Sequence, residues 1–239
     1  ADKMDAICSS FGIGIQPTGS QDPYGLRRKA AGIVQILLSP AYDSLSLDEL
    51  LELTLGGLEQ AGLLKQDRAD VKRDLTAFFA LRIKTVLQEE GIRYDVIDAV
   101  IYSGISYPAQ VLAKAGVLMD QLPREAFKQE VEGFTRVTNL AAKAGQAKLN
   151  KAAFTDPAEQ ALLRAFEEAE AMWDRAVEKK DTAALYSAIA HMVPEIHRFF
   201  DEVMVMVDDP EVRLNRLALL AEIMRLTKKF ASFEYLVFA

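Results

Sequence analysis

Cysteine is almost missing from this chain: Cys8 stands alone among 239 residues. One thiol can form neither an internal disulfide nor a cysteine zinc cluster, so the sequence is read as that of a cytoplasmic protein. Histidine is nearly as scarce. His191 and His197 lie six residues apart, which misses the i,i+4 spacing that sets two imidazoles on one helix face, and no HExxH occurs. No metal site is expected. Proline (8) and glycine (13) are too few for a collagen-like or low-complexity chain. No apolar run approaches the roughly 18–20 residues a bilayer span needs, so no membrane contact is expected. The first residues lack the basic and apolar regions of a secretory signal. They also lack an initiator Met and an N-cap, and the chain is expected to be a piece of a longer one.

The residues present suit a globular protein. Half are hydrophobic and 26% are charged, a balance that can bury a core. The net charge is −7, from 28 Lys and Arg against 35 Asp and Glu. Alone, that sign argues against a phosphate-rich partner. The charge is segregated, however. Residues 133–151 hold Arg136, Lys143, Lys148 and Lys151 and no acid, whereas 154–181 hold eight acids and four bases.

Capping signals and helical periodicity predict an all-α fold of eight to ten helices. After a Gly- and Pro-containing loop at 12–23, Asp22 and Pro23 are read as the start of a helix to about Leu38. Its basic Arg27-Arg28-Lys29 cluster sits at the end disfavoured by the helix dipole, which suggests another partner. Ser46 and Glu49 form a capping box for a helix to about Ala61, with Gly62 as its stop. Asp67 opens a long helix to Glu90, stopped at Gly91. Its stripe of Leu75, Phe78, Phe79, Ile83 and Val86 is interrupted by Arg82, whose guanidinium must find a partner or leave the interior, and which is read as a structural ion-pair residue in preference to a ligand-binding one. Short helices are predicted at about 93–102 and 107–120. Others are predicted from Pro123 to about Ala144, from Asp156 to about Lys180, from Asp181 through a break near Pro194 to Asp208, and from Pro210 to about Lys229. The last is predicted to bury Leu214, Leu217, Ala221 and Met224. Only FEYLVF (233–238) competes as a strand, since VMVMV (203–207) continues a helical pattern. No internal repeat of fixed period is present.

No catalytic constellation emerges. Gly12 and Gly14 lack the third glycine and preceding strand of a dinucleotide site, and GxxxxGK[ST] is absent. Cys8 has no activating neighbour and is read as a buried, inert thiol. Glu167-Glu168 reads as a solvated face. Polar residues do align along helices. Arg136, Asn139 and Lys143 follow i, i+3, i+7 and share one face, above a buried stripe of Phe134, Val137, Ala141 and Ala144. Such a ridge can contact phosphates and read base edges, or it can be a solvated charged surface. Lys148 and Lys151 extend it. Arg213, Asn215 and Arg216 form a second group on the last helix, either a ridge or partners of the acidic helix at 157–180.

Five stretches bring a family into view: ADKMD (1–5), FGIG with PTGSQDPYGLRRKAAGI (11–33), FFALR (78–82) with EEGIRYDVIDAV (89–100), GFTRVTNLAAKAG (133–145), and FFDEVMVMVDDPEVRLNRLALLAEI (199–223). In this order they resemble the C-terminal part of the β subunit of bacterial heterotetrameric glycyl-tRNA synthetase. The resemblance implies three segments. Residues 1–63 would be the end of an HD-like helical domain with its following helices, 64–124 a helical connector, and 125–239 a DALR-like anticodon-binding bundle. Asp2 matches the last metal ligand of HD phosphohydrolases. The other ligands have no counterpart here, so metal binding is not implied. The closing FASFEYLVFA is more aromatic than the family's usual ending.

The family ligates glycine to tRNA in an α2β2 assembly. The resemblance places ATP, Mg2+ and the adenylation site on the α subunit, with no cofactor in this segment. This segment would be non-catalytic and would hold the anticodon arm of glycine tRNA, whose anticodons share cytosines at the second and third positions. The implied tRNA contacts are Arg136, Asn139, Lys143, Arg213, Asn215 and Arg216, with Lys148 and Lys151 on phosphates. The alternative is a helical scaffold for subunit assembly that reads no bases.

Overall fold

A computed structural model describes residues 2–238. Ala1 and Ala239, which end the first and last expected segments, lie outside the described residues. Those described form α-helices joined by loops and three 3-10 turns. The only extended pairing among them is an isolated bridge between Thr18 and Gln21. The all-α expectation holds. No helix among the described residues is long and apolar enough to cross a membrane. The chain divides into two compact units, residues up to 97 with 104–115, and 98–103 with those from 116 onward.

The first unit is built on α1 (Asp2–Gly12), α2 (Leu26–Leu37), α3 (Leu47–Gln60) and α4 (Arg68–Glu89), with α4 against the other three. Ile7 and Phe11, Ala30 and Val34, Leu51 and Leu55, and Leu75, Phe79 and Ile83 are buried at helical spacing. Ion pairs join α3 to α4: Arg68 meets Glu52 and Glu59, and Lys72 lies 2.9 Å from Asp48 and 2.6 Å from Glu52. The two cations hold the Glu52 carboxyl below its usual range.

Two expectations are revised here, and a glycine finds its reason. α2 starts at Leu26 rather than beside Pro23, because Gly25 takes a left-handed φ of 62°. Asp22 still caps it, accepting from the Leu26 and Arg27 N–H groups at 2.7 and 2.9 Å. Arg82 makes no ion pair among the described residues. Its guanidinium lies 5.9 Å from the Phe78 ring and its Nε is buried without a hydrogen-bond partner. The Gly12 carbonyl accepts from the Lys65 N–H at 2.8 Å, and a Cβ on Gly12 would meet Leu64 at 2.6 Å. Close packing of the 62–66 loop is what this glycine serves.

α5 (Tyr94–Ile101) and α6 (Pro108–Gln121) carry residues of both units. The second unit is built on α7 (Glu125–Ala141), α8 (Pro157–Glu178), α9 (Thr182–Ala190), α10 (Val193–Glu202) and α11 (Pro210–Lys228). α7 packs on α10, α11 and the 3-10 turn Phe233–Tyr235, while α8 packs on α9, α10 and α11. Asp156 and Glu159 complete a reciprocal capping box on α8.

The aromatic ending is core, not strand. Phe233 lies 4.7 Å from Phe134, Phe230 lies 5.6 Å from Tyr186, and Phe238 lies 5.8 Å from Phe127, ring centre to ring centre. Below them Glu130, 8% exposed, accepts from the Tyr186 hydroxyl and pairs with Arg124 at 3.1 Å.

Two further revisions bear on function. The helix expected to reach Asp208 restarts after Ala190 and ends at Glu202. Residues 203–207 then run non-helically, with Val203 and Val205 buried (6% each) and Met204 and Met206 exposed (74% and 48%). On α11, Leu214 faces out and Asn215 faces in.

Candidate nucleic-acid interface

The ridge on α7 follows from its helical period. Phe134, Val137 and Ala141 are buried, which turns Arg136 and Asn139 to the exposed side; α7 ends at Ala141 rather than near Ala144, and Lys143 is exposed in the turn just beyond it. Asn139 and Lys143 have no hydrogen-bond or ion-pair partner among the described residues. Arg136 does have a neighbour: its guanidinium carbon lies 4.2 Å from the centre of the Phe200 ring on α10. A guanidinium face against an aromatic face is a favourable cation–π arrangement, and it fixes an otherwise mobile side chain.

Arg136 and Phe200 open onto a cleft of about 510 Å³. Its other walls are Leu140, Asp201, Glu202 and the segment Val203–Met206. Glu202 is engaged by Arg198 at 3.1 Å. Asp201 is exposed and has no such partner among the described residues. The cleft therefore joins a planar cation, two exposed thioethers and an acceptor carboxylate. Flat, polarisable surfaces with edge donors and acceptors suit an unstacked nucleobase.

The other expected contact residues are placed differently. Lys148 is exposed beside the loop that follows α7, without an ion-pair partner among the described residues. Lys151 pairs with Glu167 of α8 at 2.7 Å, which raises its pKa. Asn215 is 8% exposed and spends both ends of its amide on Asn150, accepting from its N–H at 2.7 Å and donating to its carbonyl at 3.0 Å. Arg213 donates to the Val207 carbonyl at 2.7 Å. Arg216 donates to the Met204 carbonyl at 2.8 Å and to Glu159 of the acidic helix at 2.5 Å. So α7 presents its polar residues outward, whereas the α11 group faces loops of its own unit.

Sequence reasoning missed Phe200, Asp201, Met204 and Met206. The Val-Met alternation was the available signal. Because all five residues of VMVMV are apolar, hydropathy did not reveal its period of two.

No metal-binding arrangement joins the histidines. His191 contacts Glu168 at 2.8 Å and His197 contacts the Gln129 carbonyl at 3.2 Å. Among the described residues no group of three or more His, Cys, Asp or Glu side chains is placed to hold a metal ion. Cys8 is fully buried, and that burial pushes its thiol up to about 12.

Comparison with known proteins adds a second line of information. Residues 1–102 match the family model for the glycyl-tRNA synthetase beta subunit, and residues 131–232 match the DALR anticodon binding domain. The chain is 44% identical over 239 residues to the glycine--tRNA ligase beta subunit of Halalkalibacterium halodurans, covering 100% of the chain and 34% of that protein. It is 39% identical over 240 residues to the same-named protein of Shouchella clausii, with the same coverage. For Bacillus subtilis the identity is 37% over 237 residues, 99% of the chain and 33% of the relative. The chain spans about a third of the length of these curated relatives.

Proposed function

This chain belongs to the glycyl-tRNA synthetase beta-subunit family and carries a DALR anticodon binding domain, and on that premise we propose that its second unit grips the anticodon arm of glycine tRNA. The observation that carries the reading is the Arg136–Phe200 stack at the mouth of the cleft, inside the matched residues 131–232. Anticodon bases are unpaired and can leave the stack, so they are readable by planar surfaces and edge hydrogen bonds.

In this reading a base packs against the open face of the Arg136 guanidinium, flanked by Met204 and Met206. Asp201 accepts from the amino group of a cytosine. Uracil has a carbonyl at that position and would meet the carboxylate acceptor to acceptor. Asn139 supplies a donor and an acceptor one turn along α7. Lys143 and Lys148 supply charge for the backbone phosphates.

The complete enzyme ligates glycine to tRNA in the cytoplasm. This segment is non-catalytic and acts with an α subunit, in an α2β2 assembly, that supplies the ATP- and Mg2+-dependent adenylation site. The domain partition 1–63, 64–124 and 125–239 belongs to the same reading.

A scaffold that only assembles subunits is the competing reading, favoured by the net charge of −7. Binding of the 239-residue chain to a glycine anticodon stem-loop at two salt concentrations separates the two. Affinity that falls with salt and drops when the two cytosines are replaced supports base reading. Weak binding that ignores both changes overturns it in favour of the scaffold.

A further inference from the structure

Residues Val203 to Met206 form one wall of the cleft, yet no regular structure holds them or the Val207 and Asp208 that follow. Leaving α10, this segment carries carbonyl groups that no helix satisfies. Two side chains of α11 satisfy them. Arg213 donates to the carbonyls of Val207 at 2.7 Å and Asp208 at 3.3 Å. Arg216 donates to the carbonyl of Met204 at 2.8 Å. Spaced i, i+3, the two lie on one face of α11 and grip the segment near both ends.

Arg216 is itself fixed from below. Its Nε lies 2.5 Å from Glu159, and the two side chains are 14% and 4% exposed. The other carboxylate oxygen of Glu159 accepts from the Asp156 N–H at 3.2 Å, closing the capping box of α8. A rigid chain of contacts thus runs from the α8 N-terminus through Glu159 and Arg216 to the Met204 backbone. This fixed register keeps Val203 and Val205 inward and Met204 and Met206 at the cleft. A shift by one residue would exchange them, because buried and exposed side chains alternate along residues 203–206.

We propose that Arg216, Arg213 and Glu159 are positioning residues that set the base selectivity of the cleft by holding the Met204–Met206 wall, without themselves contacting RNA. The proposal rests on the base-reading function given above. It assigns these arginines a role opposite to that of phosphate contacts, and the two roles leave different marks. Each lost phosphate contact lowers the salt slope of log K by about 0.7–0.9. A displaced wall leaves that slope unchanged and erodes the choice between bases.

The test uses the 239-residue chain with Arg216→Lys, Arg213→Gln and the paired change Glu159→Gln with Arg216→Gln, which leaves no buried carboxylate unpaired. Helical circular dichroism verifies folding, and Arg213→Gln, at a half-exposed position, serves where the buried changes prevent it. Binding is measured to a glycine anticodon stem-loop and to its cytosine-to-uracil counterpart across a salt series. Methionine methyl NMR signals are recorded without RNA.

The expected result is a roughly tenfold or greater loss of cytosine preference, an unchanged salt slope, and shifted Met204 and Met206 signals. A slope lower by about one with preference intact would make the arginines phosphate contacts and overturn the proposal. Unmoved methionine signals would overturn it as well. A parent chain that shows no cytosine preference would defeat the base-reading function itself, and that failure is visible before any variant is made.

Discussion

The Arg136 guanidinium lies 4.2 Å from the centre of the Phe200 ring. Phe200 is 8% exposed, so its ring is nearly lost to solvent while Arg136 stays exposed above it. The stack joins the outer face of α7 to the end of α10, where the helix gives way to the cleft wall. Arg136→Ala is expected to weaken anticodon stem-loop binding by about 1–3 kcal/mol, the scale of a lost charged hydrogen bond or base contact. Arg136→Lys should restore only part of this, since an ammonium has no plane to stack. Titration of both variants checks the ordering. Full recovery with lysine would mean that charge alone matters at this position.

Tyr186 and Glu130 form a buried polar tie inside the second unit. The Tyr186 hydroxyl donates to the Glu130 carboxylate, and burial foremost, with Glu130 second, pushes the ionisation of that hydroxyl upward. Tyr186→Phe removes the donor and leaves a buried carboxylate with one fewer partner. A loss of about 1–3 kcal/mol is expected from urea unfolding. Glu130→Gln in the Tyr186→Phe background should recover part of it, because a neutral amide is cheaper to bury than a carboxylate. If the double change were less stable than Tyr186→Phe, the Arg124–Glu130 pair would be the dominant tie.

Cys8 ties the first unit to alkaline pH. Its thiol is pushed from 9.0 to about 12 by burial, with a smaller contribution from Asp5. A raised folded value means the native state holds its proton where the unfolded chain releases it. The contribution is complete below about 9 and is lost as pH rises toward 12. Unfolding stability should therefore decline from pH 9 to 10.5, and less steeply in Cys8→Ala. A thiol reagent at pH 8 should label Cys8 only with denaturant present. Rapid labelling of the native chain would place the thiol at the surface.

Much of the helical plan was legible because local chemistry dictates it. Asp67, Asp156 and Asp181 cap helices where their side chains can accept backbone N–H groups. Gly62 and Gly91 end α3 and α4 with φ of 68° and 79°, a region costly to other residues. The outward set Arg136, Asn139 and Lys143 was legible for a related reason: a strong apolar stripe beneath them fixes which face is wet.

Legibility failed where polar residues meet backbone carbonyls of an irregular loop, as Arg213 does, or distant partners, as Asn215 and Arg216 do. Arg213, Asn215 and Arg216 share the residue types of a binding ridge, and sequence alone could not separate solvent from the loops at 150 and 204–208. That choice depends on segments about 65 residues away for Asn215 and 57 for Arg216 with Glu159. Likewise FEYLVF had the composition of a strand, but Phe233 found Phe134 rather than a neighbouring strand.

Most helices and caps, the exposed face of α7 and the family could be read from the chain alone, because these depend on neighbours within a turn or on motifs in order. Folding chose which arginine lies over an aromatic ring, which arginines hold the loop, and where the methionines point. Those outcomes depend on burial and on hydrogen-bond partners that folding brings together, and no local pattern encodes them.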